Sequence, residues 1–523
     1  MKTAPSIYFC LVAVLLIVLS SGGIAAALDP SNTQLGDGAL ASVTTGTDDT
    51  GLGAKALNAD TSGNRNTAAG ARALESNTAG FYNTATGFIA LLNNTTGNDN
   101  TASGVAALHA NTTGSQNTAA GVQALYFNTT GFNNTATGFT ALVNNTSGGG
   151  NTASGVAALE RNTTGSQNTA AGVQALFRNT TGKDNTATGY GALFDNSSGI
   201  NNTASGVNAL YSNTTGNYNT ADGVQALFRN TTGVSNTASG FSALLNSSTG
   251  LSNTADGAFA LLSNGTGNEN TASGAAALFS NNGGSANTAT GFGALIGNTT
   301  GNENTAVGRS ALLGNTSGQN NIGVGFQAGN DLTTGNNNID VGNAGIAAEA
   351  STIRLGTQGT QTATYIAGIT GSAVTGVDVV ISSAGRLGIL ASSARYKKDI
   401  SDMGSSTNAL MKLRPVTFRY KSDEQGTKQY GLVAEEVEQV YPELVVHDTE
   451  GRVQSVRYSM LTSMLLNELQ KQTRAVAEVR LQLKASLERE KATRTSFGER
   501  ISRLERAMAA RDGDRNLAAA FSR

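Results

Sequence analysis

The sequence is poor in cysteine, histidine, tryptophan and charge, and each shortage excludes a class of site or fold. Its 523 residues include one cysteine, Cys10, two histidines and no tryptophan. Neither a disulfide framework nor a Cys/His metal centre is therefore expected. Charged residues make up 13% of the chain, about half the ~25% of ordinary globular domains, and the formal net charge is −2. We accordingly expect no nucleic-acid partner, no cofactor and no metal.

The N-terminal segment, 1–27, has the layout of a secretory signal peptide. Lys2 precedes an apolar run from about Ile7 to Leu19, and the small residues 25–27, all alanine, follow it. Cleavage after Ala27 would also remove Cys10. An uncleaved membrane anchor is the alternative, although the run is shorter than the ~20 residues of a full span. No later segment could cross a membrane as a helix, and we expect a secreted or cell-surface protein.

What the chain has in abundance is asparagine, threonine, alanine and glycine, arranged in a strict 17-residue repeat. The copy at Asn66 reads NTAAGARALESNTAGFY, and the consensus is N-T-A-x-G-x-x-A-L-x-x-N-T-T-G-x-x, with positions numbered 1 to 17 below. From Asp49 to the last, worn copy at Asn338 there are 18 copies. Such self-similarity predicts a solenoid of stacked coils, because one repeat cannot bury its apolar face alone.

Each recurring position suggests a structural role. The glycines at positions 5 and 15 are expected to supply the backbone angles of tight corners. The asparagines at positions 1 and 12 are expected at those corners, where asparagine tolerates left-handed geometry and can bond nearby backbone. The threonine at position 2, flanked by small residues, suits a short strand. The Ala-Leu pair at positions 8 and 9, with an occasional phenylalanine, is expected to face inward. This is a thin core, which favours several chains wrapped side by side.

The repeats resemble the left-handed β-roll heads of trimeric bacterial adhesins, whose coils carry similar Asn-x-Ala-x-Gly patterns. The resemblance implies a parallel homotrimer. Three other interpretations bear on the repeats. The Asn-Thr-Thr triplets match the N-glycosylation pattern. The glycines do not fit a calcium-binding roll, which needs an aspartate in each copy. The threonine ladders could order water, as on ice-binding solenoids.

After the last copy the composition changes and charge rises. The stretches STIRLGTQGTQTATYIAGITG and VDVVISSAGRLGIL predict short strands with glycine turns. Helices are predicted over 402–413 and 433–440, with the strand VTFRYK between them. From residue 461 apolar residues recur at mostly three-four spacing, with a polar gap after Leu487. This predicts a coiled coil with imperfect heptads, in line with a trimer. These residues are Leu465, Leu469, Val476, Val479, Leu483 and Leu487, then Phe497, Ile501, Leu504 and Met508.

Three stretches of this C-terminal block resemble the intramolecular chaperone domain of phage endosialidases and tail fibres, the peptidase S74 family. They are SSARYKKDI (392–400), LRPVTFRYK (413–421) with YGLVAEEVEQVYPELV (430–445), and VRYSMLTSMLLNELQ (456–470). The resemblance implies a domain that drives trimerisation of a β-rich fibre and then cuts itself off.

The resemblance also implies the site residues. The family's catalytic Ser-x-x-Arg-x-Lys pattern maps to Ser392 and Lys397, with Arg395 as the supporting arginine. The expected cleavage site is the Ala391–Ser392 bond. Ser393 stands where the phage form often has aspartate, which leaves open which serine is the nucleophile.

The chemistry of this pair agrees with its residue types. A serine hydroxyl is a weak nucleophile until a base takes its proton, and a lysine amine can be that base when burial or nearby cations favour its neutral form. A Ser-Lys dyad is a known variant of serine catalysis. The alternative is that both are solvated polar residues at a helix start, and spacing alone favours that alternative.

The sequence thus predicts a mainly β chain, a 17-residue-repeat β-solenoid followed by an α+β chaperone domain that ends in a coiled-coil helix. Its expected function is an exported homotrimeric fibre or adhesin-like surface protein with a self-cleaving serine-peptidase chaperone. The alternative is a non-cleaving adhesin or ice-binding rod with only a trimerisation clamp. A cell-surface or glycan ligand is left open. The expected segments are a signal peptide (1–27), an N-terminal lead (28–48), the solenoid (49–354), a β connector (355–391), the chaperone core (392–460), the coiled-coil helix (461–510) and a tail (511–523).

Overall fold

A computed structural model describes residues 29–367, 375–382, 384–448 and 450–520. The predicted signal segment, 1–27, lies outside the described residues. The chain divides into two compact units, one ending at Val374 and one beginning at Thr375. Among the described residues, no helix combines the length and the apolar content that crossing a membrane requires.

The first unit is a parallel β-solenoid, as the repeat predicts. Its strands are three residues long and form one 20-stranded sheet. They are β1 (Thr33–Leu35), β2 (Thr50–Leu52), β3 (Thr67–Ala69), β4 (Thr84–Thr86), β5 (Thr101–Ser103), β6 (Thr118–Ala120), β7 (Thr135–Thr137), β8 (Thr152–Ser154), β9 (Thr169–Ala171), β10 (Thr186–Thr188), β11 (Thr203–Ser205), β12 (Thr220–Asp222), β13 (Thr237–Ser239), β14 (Thr254–Asp256), β15 (Thr271–Ser273), β16 (Thr288–Thr290), β17 (Thr305–Val307), β18 (Ile322–Val324), β19 (Ile339–Val341) and β20 (Ile353–Leu355).

Every coil stacks on the next in the register of the repeat. Thr186 pairs with Thr203 and Ala187 with Ala204, one repeat further along the chain, and the same step joins all strands from β1 to β19. Only the last coil is shorter, because Ile339 pairs with Ile353. The solenoid has about 19 turns. The repeat count from the sequence omitted one coil. Strand β1 belongs to a coil that begins at Asn32, inside the predicted N-terminal lead.

Three columns of small apolar side chains fill the solenoid. In the Asn66 copy they are Ala68, Ala73 and Leu74, all fully buried, and equivalent residues line the coils above and below. The predicted Ala-Leu core is therefore present. The expectation that phenylalanine also faces inward was wrong. Phe88 and Phe139, for example, are 52% and 54% exposed, because the chain leaves the interior after the glycine at position 5.

The repeat asparagines occupy the interior rather than the surface of the corners. Asn83 donates from its backbone N and its side-chain Nδ2 to Asn66 Oδ1, at 3.0 and 3.2 Å, and its Nδ2 also donates to Gly97 O at 2.8 Å. Position 12 forms a second ladder, in which Asn94 Nδ2 donates to Asn77 Oδ1 at 2.8 Å. Buried polar groups need such partners. Because the asparagine of each Asn-Thr-Thr triplet is buried in this ladder, the folded coil offers it no access for glycosylation.

The two glycines of a coil serve different purposes. Gly70 has φ +148°, a backbone angle that side-chain-bearing residues rarely adopt, as the sequence predicts. Gly80 is not in the left-handed region, and the prediction for it was wrong. A Cβ on Gly80 would lie 2.5 Å from Asn77 Oδ1 and 2.4 Å from Gly97 O, so this position is glycine because the asparagine ladder fills the space beside it.

Aspartates replace asparagine in both ladders near the N-terminal end. Asp49 stands at position 1 and Asp60 at position 12, both buried, and one carboxylate oxygen of each lacks a hydrogen-bond partner. Burial raises the pKa of Asp49 to about 6. Burial, helped by the negative charge of Asp49, raises the pKa of Asp60 to about 7. These carboxyl groups are therefore neutral in the folded coil at acidic pH.

The second unit is a small α+β fold ending in a long helix. Its strands form three antiparallel hairpins, β21 (Val380–Ile381) with β22 (Leu387–Gly388), β23 (Val416–Phe418) with β24 (Gln429–Gly431), and β25 (Val445–His447) with β26 (Val453–Val456). Its α-helices are α1 (Ala434–Glu438) and α2 (Tyr458–Ala520), and its 3-10 helices span Ala394–Tyr396, Gly404–Thr407, Leu410–Lys412 and Pro442–Leu444.

The C-terminal predictions were partly correct. The hairpin in VDVVISSAGRLGIL, the strand in VTFRYK and the long helix are present, and α2 extends past both ends of the predicted 461–510 segment. The helix predicted over 402–413 is instead two 3-10 turns, and that over 433–440 shortens to α1. Gly404 has φ +49°, outside the helical region, so an α-helix cannot begin at residue 402 and run through it.

Candidate functional site

A single 3-10 turn shapes the segment where chemistry was predicted. The carbonyl of Ser393 accepts a hydrogen bond from Tyr396 N, and that of Ala394 accepts one from Lys397 N, both at 3.0 Å. Lys397 then leaves the turn in an extended conformation. The turn folds the chain back on itself, so a side chain that follows the turn can return to Ser392.

The structure brings the two predicted catalytic side chains together. Lys397 Nζ lies 3.2 Å from Ser392 Oγ, within hydrogen-bonding distance. This is the geometry that a Ser-Lys pair needs, since the base must touch the hydroxyl whose proton it takes. The hydroxyl also belongs to the residue that follows the predicted scissile bond. The arrangement can therefore support attack by Ser392 Oγ on the neighbouring Ala391 carbonyl.

The two supporting residues are placed differently. The guanidinium of Arg395 lies over the ring of Tyr396, 4.8 Å from its centroid, in a cation–π contact. Ser393 begins the 3-10 turn through its backbone carbonyl, and its side chain makes no capping hydrogen bond. Ser392, not Ser393, is thus the serine whose hydroxyl meets the lysine.

The whole segment is open to solvent in the single chain. Every residue from Ala391 to Ile400 is exposed, including both members of the pair and the predicted scissile bond. A substrate bond in such a position needs no separate opening step.

The segment precedes a small core that is held against the start of α2. Its fully or nearly buried side chains are Leu410, Val437, Tyr441, Leu444, Val445, Val456 and Met464. Tyr458 Oη accepts a hydrogen bond from Leu432 N at 2.9 Å, and Arg414 forms an ion pair with Glu436. Burial of helix-borne Met464 in this core attaches the first turns of α2 to the rest of the unit.

Residues 392–446 match the family model of peptidase S74, the chaperone of endosialidase. The match begins at Ser392, contains Lys397, and ends within β25. The resemblance of this block to the S74 chaperone is therefore confirmed, and it lies downstream of a confirmed β-solenoid. A search of curated proteins found no match to the chain. Residues 392–446 are called the S74 segment below.

A polar cluster between the S74 segment and α2 was not predicted. The hydroxyl of Thr407, a buried residue, accepts from Asn467 Nδ2 at 2.6 Å and donates to Glu468, whose other partner is Lys471 Nζ at 2.6 Å. Hydrogen bonds from Lys471 and Thr407 lower the pKa of Glu468. A threonine in a Ser-Ser-Thr run gives no sequence signal for such a role, because its partners lie far along the chain, on α2.

Proposed function

We propose that this protein is an exported homotrimeric fibre whose S74 segment and α2 drive assembly and then release themselves by cleavage before Ser392. The match to the S74 chaperone is the observation that carries the proposal, since it follows a 19-turn solenoid in one chain. Export rests on the layout of residues 1–27. The β-rich solenoid would be the retained fibre, and the C-terminal unit would be its assembly tool.

The long helix supports the trimer. All ten apolar residues of the predicted heptad seam on α2, from Leu465 to Met508, are more than half exposed in the single chain. The exposed fractions of Leu469, Leu483 and Leu504, for example, are 61%, 58% and 63%. An apolar stripe at mostly three-four spacing, interrupted here between Leu487 and Phe497, is covered when helices form a coiled coil. Three copies of α2 would bury it and align the three chains.

The proposed cleavage is one intramolecular turnover per chain. Lys397 Nζ takes the proton of Ser392 Oγ, and the oxygen attacks the carbonyl carbon of Ala391. The Ala391–Ser392 C–N bond breaks, its nitrogen receives the proton from Lys397, and an ester joins Ala391 to the serine oxygen. Water then hydrolyses the ester, which leaves a carboxylate on Ala391 and restores the Ser392 hydroxyl.

Exposure of the pair supports a link between cutting and assembly. The lysine must be neutral to accept a proton, and burial favours the neutral form. Because a single chain leaves Lys397 exposed, partner chains in the trimer would supply that burial. Cleavage would then follow assembly. The fibre would remain in its assembled state through a slow unfolding rate rather than through its chaperone.

The test is expression of the full chain and measurement of fragment masses, oligomeric state and band pattern. We expect a trimer by light scattering and a C-terminal fragment whose mass corresponds to Ser392 through Arg523. Ser392→Ala and Lys397→Ala should each abolish the fragment and leave trimers, whereas Ser393→Ala should still cut. Losing one member of a catalytic pair typically costs several orders of magnitude in rate.

The possible results of this test distinguish the trimer, the cleavage and the chaperone role from one another. A monodisperse monomer contradicts the trimer. An uncut wild-type trimer favours the non-cleaving rod, and a fragment from Ser392→Ala moves the nucleophile elsewhere. Deleting 392–523 from the gene should give aggregated or misregistered product, and a deletion variant that assembles as well as the wild type would remove the chaperone role.

A further inference from the structure

Position 6 of the repeat forms a continuous apolar stripe along the outside of the solenoid. Here the chain has just left the strand, and the side chain projects from the corner. The stripe is Phe88, Val105, Val122, Phe139, Val156, Val173, Tyr190, Val207, Val224, Phe241, Ala258, Ala275 and Phe292. Its aromatic residues are 49–58% exposed and its valines 41–46% exposed. From Phe88 to Phe292 it carries no charged residue. Position 6 then holds Arg309, whose guanidinium lies 5.8 Å from the ring centroid of Phe292, and Phe326 follows one coil later.

A second column, at position 10, is apolar from Phe177 to Leu313, and four of its rings form a stack within the chain. Phe177, Phe194, Tyr211 and Phe228 stack face to face, with successive ring centroids 4.9, 4.8 and 5.2 Å apart. Guanidinium groups such as that of Arg178 cover its rings, as at a solvent-facing surface. The position-6 aromatics cannot stack on one another in this way, because two coils separate them.

The spacing of those aromatics is regular. Phe88, Phe139, Tyr190, Phe241 and Phe292 follow one another at every third coil of the repeat. The intervening positions hold valine or alanine. At ~4.8 Å per coil, an aromatic ring recurs every ~14 Å along the stripe. The stripe therefore has a large-small-small order with a three-coil period.

We propose that the position-6 stripe is the lateral seam at which copies of this chain meet, and that its three-coil period restricts their relative registers. The inference rests on the proposed homotrimer and names the surface that forms it. About half of each exposed aromatic and valine amounts to roughly 900 Å² per chain, close to the ~800 Å² that each partner contributes to a standard stable interface. An uncharged, apolar strip of that size fits an identical strip.

The register of two such stripes depends on which side chains meet at each level. In a parallel, in-register assembly each level brings identical residues together, aromatic with aromatic and valine with valine. A slip by one or two coils sets rings against valines or alanines and so gives up the aromatic–aromatic contacts of the in-register stripe. A slip by three coils restores the match. The stripe thus excludes the small slips, and the C-terminal unit has to select among registers three coils apart.

Charge placed in the stripe tests the surface, with a phenylalanine of equal exposure as its control. Phe139 at position 6 and Phe132 at position 16 are 54% and 53% exposed. By light scattering, we expect Phe139→Glu to lose the trimer and Phe132→Glu to keep it. A wild-type protein that is not trimeric contradicts the proposed function itself. A trimeric wild type with both variants trimeric, or both dissociated, overturns the seam alone.

Thiol cross-linking gives a second test that does not require dissociation. Val156 at position 6 and Leu251 at position 16 are both 46% exposed, and Cys10 is the sole cysteine of the sequence. In the full chain carrying Cys10→Ser, Val156→Cys should give covalent dimers on oxidation, because like residues meet at the seam. Leu251→Cys should stay monomeric on a denaturing gel. Equal cross-linking of the two variants, or none at Val156→Cys, contradicts the seam.

The three-coil period of the position-6 stripe is tested by co-expressing chains of different length. A chain lacking 151–201, three coils, and a chain lacking 151–167, one coil, are each co-expressed with a differently tagged full-length chain. The three-coil deletion should be recovered in mixed trimers and the one-coil deletion should not, although its overhang is smaller. Preferential recovery of the one-coil deletion, or equal recovery, overturns the three-coil rule.

Discussion

Ser247 interrupts the position-12 asparagine ladder, and repairing it should stabilise the solenoid locally. On both sides of Ser247 the ladder is continuous. In the coil before it, for example, Asn230 Nδ2 donates to Asn213 Oδ1 at 2.8 Å. At the next coil Ser247 is too short to reach, and both Asn230 Oδ1 and the Ser247 hydroxyl are buried without a partner. An asparagine at 247 would donate to Asn230 and accept from Asn264.

The size of the effect follows from those contacts. Each new hydrogen bond contributes about 0.5–1.5 kcal/mol, and pairing a buried acceptor removes a penalty of about 1–3 kcal/mol. Ordering a longer side chain offsets part of this gain. We expect Ser247→Asn to stabilise its coil by about 2 kcal/mol, which lowers the population of the locally opened state about 30-fold.

Hydrogen exchange is the assay, because stacked repeats open locally and a global melting temperature averages over them. Amides of the coils that contain Ser247 and Asn264 should exchange more slowly in Ser247→Asn. The protein should come from a host without N-glycosylation, because the change creates an Asn-Ser-Thr triplet. Ser205→Asn, at an exposed strand position, controls for the substitution itself and should have no such effect.

The reverse change provides the second half of the test. Asn162 makes all three ladder bonds, to Asn145 Oδ1 at 2.8 Å, to Gly165 O at 2.9 Å and from Asn179 Nδ2 at 2.7 Å. Asn162→Ser should therefore speed exchange around it by a factor similar to the gain at Ser247. If Ser247→Asn exchanges no more slowly than the wild type, the ladder does not hold the coils together as argued.

Two further predictions address the same interior. Burial raises the pKa of Asp60 to about 7 and that of Asp49 to about 6, above the ~3.9 of an unfolded aspartate. The first coils are therefore most stable below about pH 4 and lose stability as pH rises to about 7. Hydrogen exchange from pH 5 to 8, corrected for intrinsic rates, should show this loss, and Asp60→Asn should reduce the pH dependence. Gly165→Ala should expose its coil to limited proteolysis, since a Cβ would lie 2.3 Å from Asn162 Oδ1, whereas Gly283→Ala, whose Cβ would meet only Thr266 Oγ1 at 3.8 Å, should not.

The sequence predicted the solenoid well because its repeat exposes the stacking directly. A repeat of strictly constant length places like residues above one another, so the strand at position 2 and the Ala-Leu core follow at once. The role of asparagine followed only in part. The expected bond to nearby backbone is present, as from Asn77 Nδ2 to Gly80 O at 3.1 Å, but the left-handed geometry is not. Left-handed angles fall on other residues, such as Arg65 at φ 59° and Leu74 at φ 51°, while the asparagines turn inward. Their role depends on side-chain contacts between coils, which a single repeat does not reveal.

For the candidate site, residue types and spacing alone favoured two solvated side chains. The family pattern predicted the pairing of Ser392 with Lys397, and the 3.2 Å contact agrees with it. The polar cluster around Thr407 and the coil at Asn32 were missed for different reasons. Thr407 depends on distant partners. The first coil replaces the buried alanine of position 3 with Gln34, an exposed residue, and so departs from the consensus.

The proposed roles of the two units follow from a difference in their sequences: the solenoid repeats and the C-terminal unit does not. Within a chain, each coil contacts the next coil through nearly identical bonds, so folding of the solenoid is local and almost uniform along its length. Such contacts do not determine the register of one chain against another. On the proposed seam, the aromatic period restricts the possible registers between chains to steps of three coils, but it does not select one of them. The S74 segment and α2, in contrast, do not repeat. That is a physical reason for the proposed assembly domain to follow the solenoid in the chain.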